Sequence, residues 1–395
     1  MRIGRSLPPA AAFLGWQDLC YGIAGTLRPD RTLRARVDEL RTEFDVRHVF
    51  LVSSGTAALK LTLEALSSFS DATEVVMPAY TCFSVPAAAL QAGLRPVLCD
   101  IDETTFDIDH ALLPQTLTKR TLCVIAHHLF GIPSNIERTN ALCRKRGVFV
   151  VEDAAQAFGG RRNGKPLGTL GDVGIFSFGR GKNVTCGSGG VIVTRSDRIA
   201  EAIAARFRSL PSPGWLESIT DFVSTVLMVV FIRPWLYWIP EALPFLGLGT
   251  TVFPQDVPIK RLSGFKAGLL RNWRSYLTRS NDGRSNTVGD LGRCLPMPLT
   301  SGKPQPLLRL PLLTSDQAAK TRLHLLSRMR GLGLSAAYPT AINEIPEIRA
   351  RFAGQQFPSA AKIASRLVTL PTHHWLIESD KQAIAELCRE SCPAC

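Results

Sequence analysis

The sequence predicts an α/β fold, with a large, doubly wound, mostly parallel sheet followed by a small C-terminal α+β lobe. Three observations predict it. Short apolar β-type runs alternate with helical patterns from Val49 to Asp153. Small and glycine-rich turns stand where several of those runs end. Beyond Pro254, helical signals mix with only two short apolar strands, at Leu307–Leu313 and Leu367–Leu370. At 395 residues the chain is long enough for two domains with a sizeable core. The expected division is a large domain over 1–210, a hydrophobic insert over 211–255 and a small domain over 256–395.

Taken in order, Leu33, Val37, Leu40 and Phe44 share one face of an amphipathic helix over Thr32–Phe44. Val49–Val52 reads as a short buried strand, and Ala57–Leu66 as a largely apolar helix. The turn between them, Ser53-Ser54-Gly55-Thr56, brings a strand end to a helix N-terminus. Free backbone N–H groups and the helix dipole converge there, which suits an anion. The plainer reading is a helix N-cap, and no Walker loop is present. Next come a strand over Glu74–Met77, a helix over Val85–Ala92 and strands over Pro96–Asp100 and Leu122–Ala126. A helix over Asn135–Arg146 and a strand over Val148–Glu152 follow, the latter delivering Asp153 to the sheet edge. His127 and His128 have no carboxylate or cysteine at ligand spacing and read as packing or hydrogen-bonding residues.

The chemistry concentrates in Gly171–Gly190, GDVGIFSFGRGKNVTCGSGG, where Lys182 lies in a loop of small residues. Phe176-Ser177-Phe178 leads in and Val191–Val193 leads out as a buried strand. A lysine held between two such strands is desolvated, which lowers its pKa and frees the amine to attack a carbonyl. A solvated loop lysine is the plainer alternative. Asp153 reads either as an N-cap for the residues that follow or as a carboxylate paired with a protonated pyridine nitrogen.

Composition excludes several classes. The net charge is +13, yet the basic residues are scattered without a run, which argues against a nucleic-acid arm and suits an acidic small substrate or anionic membrane surface. Ten cysteines are scattered and form one CxxC pair, Cys392 with Cys395, so reduced thiols are expected and a metal site is not. The N-terminus lacks the long apolar core of a secretory signal.

Together these segments resemble the DegT/DnrJ/EryC1/StrS family of sugar aminotransferases, pyridoxal 5'-phosphate (PLP) enzymes of fold type I. The matching pieces are SSGTAAL (53–59), VVMPAYTCFSVPAAALQAGLRPVLCDID (75–102), HLFGIP (128–133), VVEDAAQAFGG (150–160) and GDVGIFSFGRGKNVTCGSGGVIVT (171–194). The resemblance implies that Lys182 carries the cofactor through a Schiff base and later shuttles the proton. It implies that Asp153 pairs with the pyridine nitrogen and that Gln156 approaches the 3-hydroxyl. Gly55, Thr56 and Ser177 match the phosphate cup. The family's ring-stacking aromatic is replaced, leaving Cys82, Phe83 and Tyr80 as alternatives. The Asn-Tyr-Arg-Met segment that reaches a partner subunit's phosphate corresponds to Pro258–Ser263, where only the arginine survives. A homodimer is nevertheless what the family implies.

Residues 211–253 depart from the family core. Their longest uncharged, proline-free run, Phe222–Ile232, is too short to cross a bilayer. Two readings stand: an insert folded over a domain or dimer interface, or a patch lying in the membrane surface through 219–249. In the C-terminal part, helices are expected over Phe265–Thr278 and Ser315–Leu332, with a proline-rich connector over Leu295–Pro306. His373 and His374 read as exposed or capping residues.

The resulting expectation is a cytoplasmic PLP-dependent aminotransferase, with peripheral contact at the inner face of the membrane as one of the two readings of its insert. It would convert a keto-sugar nucleotide to an amino sugar for glycan biosynthesis, with glutamate as donor. A PLP-dependent sugar dehydratase or deoxygenating enzyme is one alternative. A non-catalytic membrane-associated scaffold of the same fold is the other.

Overall fold

The computed structural model describes residues 3–247, 249–295 and 305–391. The Cys392–Cys395 pair and most of the proline-rich connector lie outside the described residues. The chain opens with two helices, α1 (Trp16–Leu27) and α2 (Pro29–Phe44), and α2 carries the amphipathic face read from its apolar spacing. Strand β1 (His48–Val52) then leads through the Ser54 N-cap into α3 (Gly55–Leu66), whose apolar residues are almost all buried. The β/α alternation continues as β2 (Glu74–Pro78), α4 (Ser84–Gln91), β3 (Arg95–Cys99), the short α5 (Leu113–Thr116) and β4 (Thr121–His127). It closes with α6 (Ile136–Arg144), β5 (Phe149–Asp153), a small hairpin β6 (Arg161–Arg162) and β7 (Lys165–Pro166), then β8 (Val173–Ser177), β9 (Gly190–Thr194) and α7 (Asp197–Arg208).

These strands form one seven-stranded sheet in the order β1-β9-β8-β5-β4-β2-β3. Only β9 runs against the others, pairing antiparallel with both β1 and β8. The sheet is therefore mostly parallel, as expected, and its strands read as continuous apolar runs because helices cover both faces. Consequently β1, β4, β5 and β8 all end at one edge, at Val52, His127, Asp153 and Ser177. Ligands in doubly wound sheets bind at this edge.

The hydrophobic segment folds as α8 (Trp215–Phe231) and α9 (Pro234–Glu241), bent by 120° at the break between them. Among the described residues no single helix is long and apolar enough to cross a membrane. Several large apolar side chains stay exposed here, among them Trp215, Leu216, Ile219, Val223, Leu227 and Phe245. The single helix expected over Phe265–Thr278 is two, α10 (Gly264–Leu269) and α11 (Trp273–Cys294), with Leu270 departing from helical geometry between them. Helix α10 packs closely on α1 because glycines face each other. A Cβ on Gly25 would stand 2.2 Å from the Gly264 carbonyl oxygen.

The C-terminal part places β10 (Arg309–Leu313) antiparallel to β11 (Leu367–Pro371), flanked by α12 (Gln317–Arg330), α13 (Pro358–Arg366) and α14 (Glu378–Ser391). This layer meets the large sheet at the site edge, where the Leu308 N–H donates to the Phe130 carbonyl at 2.8 Å. His373 corrects the sequence expectation. It is buried and hydrogen-bonded to the Pro8 carbonyl, because the N-terminal segment folds over it. His374 stacks on Phe13 with ring centroids 3.8 Å apart.

Candidate active site

A cavity of about 250 Å³ opens at the C-terminal edge of the parallel strands. Its wall includes Ser54, Gly55, Thr56, Asp153, Gln156, Ser177 and Lys182, which brings every sequence-predicted site residue into one space.

The anion end is built by the β1–α3 turn. Ser54 caps α3, its hydroxyl accepting from the Ala57 N–H at 3.0 Å, so the capping reading is correct for Ser54. It does not use the N–H groups of Gly55 and Thr56, which remain at the positive end of the helix dipole. Ser177 lies against this turn. A Cβ on Gly55 would come 2.8 Å from the Ser177 Cβ, so the cradle closes only around glycine. The turn is braced from β9, where a Cβ on Gly190 would stand 2.0 Å from the Ser54 carbonyl oxygen.

Lys182 belongs to the β8–β9 loop, which is tied at its base by Phe178 N–H to Gly189 and Cys186 N–H to Phe178. The left-handed Gly181, φ 72°, turns the chain into it. Burial holds the Lys182 amine below the ordinary lysine value. Nearby Cys82 and Asp153 oppose the shift, and Arg309 adds to it. Asp153 ends β5, and its carboxylate accepts from the Ala155 N–H at 3.1 Å, a local Asx contact that coexists with lining the cavity.

Gln156 is committed on both ends of its amide. Its oxygen accepts from the Phe130 N–H and its nitrogen donates to the Tyr338 hydroxyl, each at 2.7 Å. Tyr338 was not among the predicted site residues. Its phenol lines the cavity, and burial pushes it well above the usual tyrosine value. Of the three stacking alternatives, Cys82 alone lines the cavity. Phe83 is buried and Tyr80 is fully buried, with the Tyr80 hydroxyl donating to the Tyr338 carbonyl at 3.1 Å.

Both central histidines border the cavity and are held by hydrogen bonds, the kind of role expected, and one has a carboxylate partner that spacing did not reveal. His127 donates from Nε2 to the Phe106 carbonyl at 2.8 Å and lies 3.1 Å from the Thr81 hydroxyl. Burial lowers its pKa and keeps it neutral. His128 accepts from the Ser134 N–H on Nδ1, so Nε2 donates, at 2.9 Å, to Glu152. Glu152 also accepts from the N–H groups of Gly168, Leu170 and Gly171.

A lysine amine, a carboxylate and a helix N-terminal anion cup facing one another fit a phosphorylated pyridine aldehyde, and the Gly55 cradle leaves the close approach that its phosphate needs. The Pro258–Ser263 segment runs beside this cup. The Ser53 N–H donates to the Lys260 carbonyl, the Lys260 N–H donates back to the Ser53 hydroxyl, and Val52 bridges to Arg261. Its Arg261 donates to the Arg208 carbonyl, and Lys260 pairs with Glu217.

Comparison with known proteins agrees with this geometry. Residues 33–219 match the DegT/DnrJ/EryC1/StrS aminotransferase family. A GDP-perosamine synthase of Vibrio cholerae is 35% identical over 169 residues, 42% of this chain and 46% of that protein, so the match spans about half of that relative. A UDP-N-acetyl-3-dehydro-alpha-D-glucosamine 3-aminotransferase of Acidithiobacillus ferrooxidans is 28% identical over 98% of this chain and 92% of its own length. Helicobacter pylori PseC, an aminotransferase involved in the biosynthesis of pseudoaminic acid, shares the fold with a TM-score of 0.79 at 19% identity, covering 99% of this chain and all of that one.

Proposed function

We propose that this chain, a member of the DegT/DnrJ/EryC1/StrS aminotransferases through residues 33–219, is a PLP-dependent enzyme that aminates a keto-sugar nucleotide, with glutamate as donor, for glycan biosynthesis. One observation carries the reading: Lys182, Asp153 and the Ser54–Thr56 turn face a single cavity. Gly55, Thr56 and Ser177 would hold the phosphate, and Asp153 would keep the pyridine nitrogen protonated. When bound, the cofactor supplies an electron sink that stabilises negative charge at the carbon losing its proton. Lys182 would hold the cofactor at its aldehyde end, and its free amine would hold and move the proton at the substrate carbon. Its burial favours the neutral amine that both tasks require. Gln156 would approach the ring's 3-hydroxyl, and its amide ties the small layer to the large one through Tyr338.

On this reading residues 1–210 bind the cofactor and 256–395 close over the substrate. A second subunit would complete the phosphate site beside Pro258–Ser263, giving a homodimer. The exposed apolar side chains of 215–246 support a peripheral contact at the inner face of the membrane, with the bent α8–α9 pair lying along the surface. Flotation with anionic liposomes checks this, and protein that stays wholly at the bottom contradicts it.

Titration with PLP followed by single-turnover assays tests the activity. The reading predicts a yellow protein that forms 2-oxoglutarate from glutamate and one amino sugar per keto-sugar nucleotide. A deoxy or dehydrated sugar would point to the dehydratase alternative, and a colourless protein indifferent to PLP to a scaffold.

A further inference from the structure

Residues 5–13 form no helix or strand of their own, yet most of them are buried. An irregular segment near a terminus stays ordered only where something ties it down. Here the ties come from three directions. On α9, the Pro234 carbonyl accepts from the Ser6 N–H at 2.8 Å and Glu241 accepts from the Ser6 hydroxyl at 2.7 Å. In the small layer, the Leu7 N–H donates to the Gly331 carbonyl beyond α12, and Arg5 pairs with Asp380 of α14. His373 donates from Nε2 to the Pro8 carbonyl at 2.8 Å, while its Nδ1 accepts from the Trp375 N–H. Burial pulls this imidazole down to about 3, so it stays neutral and the bond does not titrate near neutral pH.

The third direction is the site itself, reached twice. Ala10 packs on Gly181, the residue before Lys182, where an added Cβ would stand 3.4 Å from the Ala10 Cβ. The Ala11 carbonyl accepts from the buried Arg284, whose guanidinium also donates to the Leu308 carbonyl at 2.7 Å. Leu308 in turn holds Phe130, and Phe130 holds Gln156 in the cavity wall. Between Ser6 and Ala10 stand Pro8 and Pro9, whose rings fix two φ angles. A displacement at one end is therefore passed along the segment rather than absorbed within it.

We propose that residues 5–13 are a positioning strap that ties the Lys182 loop to α9, so that the hydrophobic insert and the cofactor site order each other. The inference rests on the aminotransferase reading only for the identity of the cofactor. It gives part of the departing segment 211–253 a task at the site, although none of its described residues lines the cavity. The coupling is reciprocal: what orders one end must order the other.

Hydrogen exchange read by mass spectrometry tests the strap on the full chain, first as apoprotein and then with PLP. In the apoprotein, Ser6→Ala and Glu241→Ala should speed exchange over 178–186 about 2- to 10-fold, the worth of one hydrogen bond. Glu241→Gln keeps an acceptor for the Ser6 hydroxyl and should restore the wild-type rate. Exchange in β2–β4 should not change. In wild type, PLP should slow exchange over 5–13 and 234–241 as well as over 178–186. Its dissociation constant should rise about 2- to 10-fold in the two alanine variants. Variants that loosen only 5–13 and 234–241, leaving 178–186 and PLP affinity as in wild type, would overturn the strap. So would loosening spread evenly over the large sheet, which marks a loss of global stability, or protection by PLP confined to 178–186. A wild-type protein that ignores PLP, while the alanine variants still loosen 178–186, would sink the aminotransferase reading and leave the strap standing.

Discussion

The amide nitrogen of Gln156 donates to the phenol oxygen of Tyr338 at 2.7 Å, joining two residues 182 positions apart across the two layers that frame the site. The same Gln156 holds Phe130, and Phe130 holds Leu308 at the start of β10. One side chain therefore ties the small layer to the large sheet at the cavity, alongside the Tyr80–Tyr338 and Ala79–Ile342 hydrogen bonds.

Replacing Tyr338 by phenylalanine leaves the Gln156 nitrogen without its partner while preserving the ring. The expected cost is about 1 kcal/mol, seen as a roughly 5-fold drop in kcat/KM with the cofactor absorbance intact. Steady-state kinetics check this. Loss of the cofactor itself would show that the phenol has a different role.

Asp153 stands close enough to Lys182 to oppose the lowering that burial imposes on the amine. In Asp153→Asn that opposition goes, the neutral amine persists to lower pH, and the pH midpoint for capture of PLP by the apoprotein moves down. If Asp153 pairs with the pyridine nitrogen as proposed, overall amine transfer is nevertheless expected to fall by roughly 10²- to 10⁴-fold. Borohydride trapping across a pH series measures the midpoint. An upward shift contradicts the pairing.

Glu152 is a structural acid buried beneath the site. It accepts from His128 and from the N–H groups of Gly168, Leu170 and Gly171. A glutamine there offers an NH₂ where acceptors are needed, so Glu152→Gln should lose about 2–4 kcal/mol in urea unfolding. A loss under 1 kcal/mol would mean that the loop repacks.

Gly190 braces the anion cup from behind. In Gly190→Ala the new methyl meets the Ser54 carbonyl and pushes the β1–α3 turn outward. Overpacking of about 1–3 kcal/mol predicts PLP affinity weakened about 5- to 150-fold, with fold content retained. Fluorescence titration and circular dichroism distinguish this from unfolding.

The mostly parallel sheet was legible because the alternation of its strands and helices follows from local signals, while the strand order was not. Apolar runs of strand length alternate with helical spacing, and the turns that end them carry small residues. The Ser53–Thr56 turn, Asp153 and Lys182 stood out from local signals at strand ends, whereas Gln156 and Ser177 were singled out only by the family resemblance. Tyr338 and the His128–Glu152 pair were not legible, because each depends on contacts between distant segments that no local period encodes. Helix α1 was missed because its apolar residues are divided between a glycine-mediated contact with α10 and an exposed face carrying Trp16, Ile23 and Leu27. His373 was misjudged because its cover comes from the opposite end of the chain.

The most direct measurement is the absorbance of purified protein with PLP, before and after glutamate, in wild type and Lys182→Ala. The account predicts a visible band that bleaches on glutamate addition with one 2-oxoglutarate per site. In Lys182→Ala that covalent band is absent, and turnover falls at least ~10³-fold. A wild-type protein that gains no band, or a Lys182→Ala variant that turns over like wild type, would contradict it.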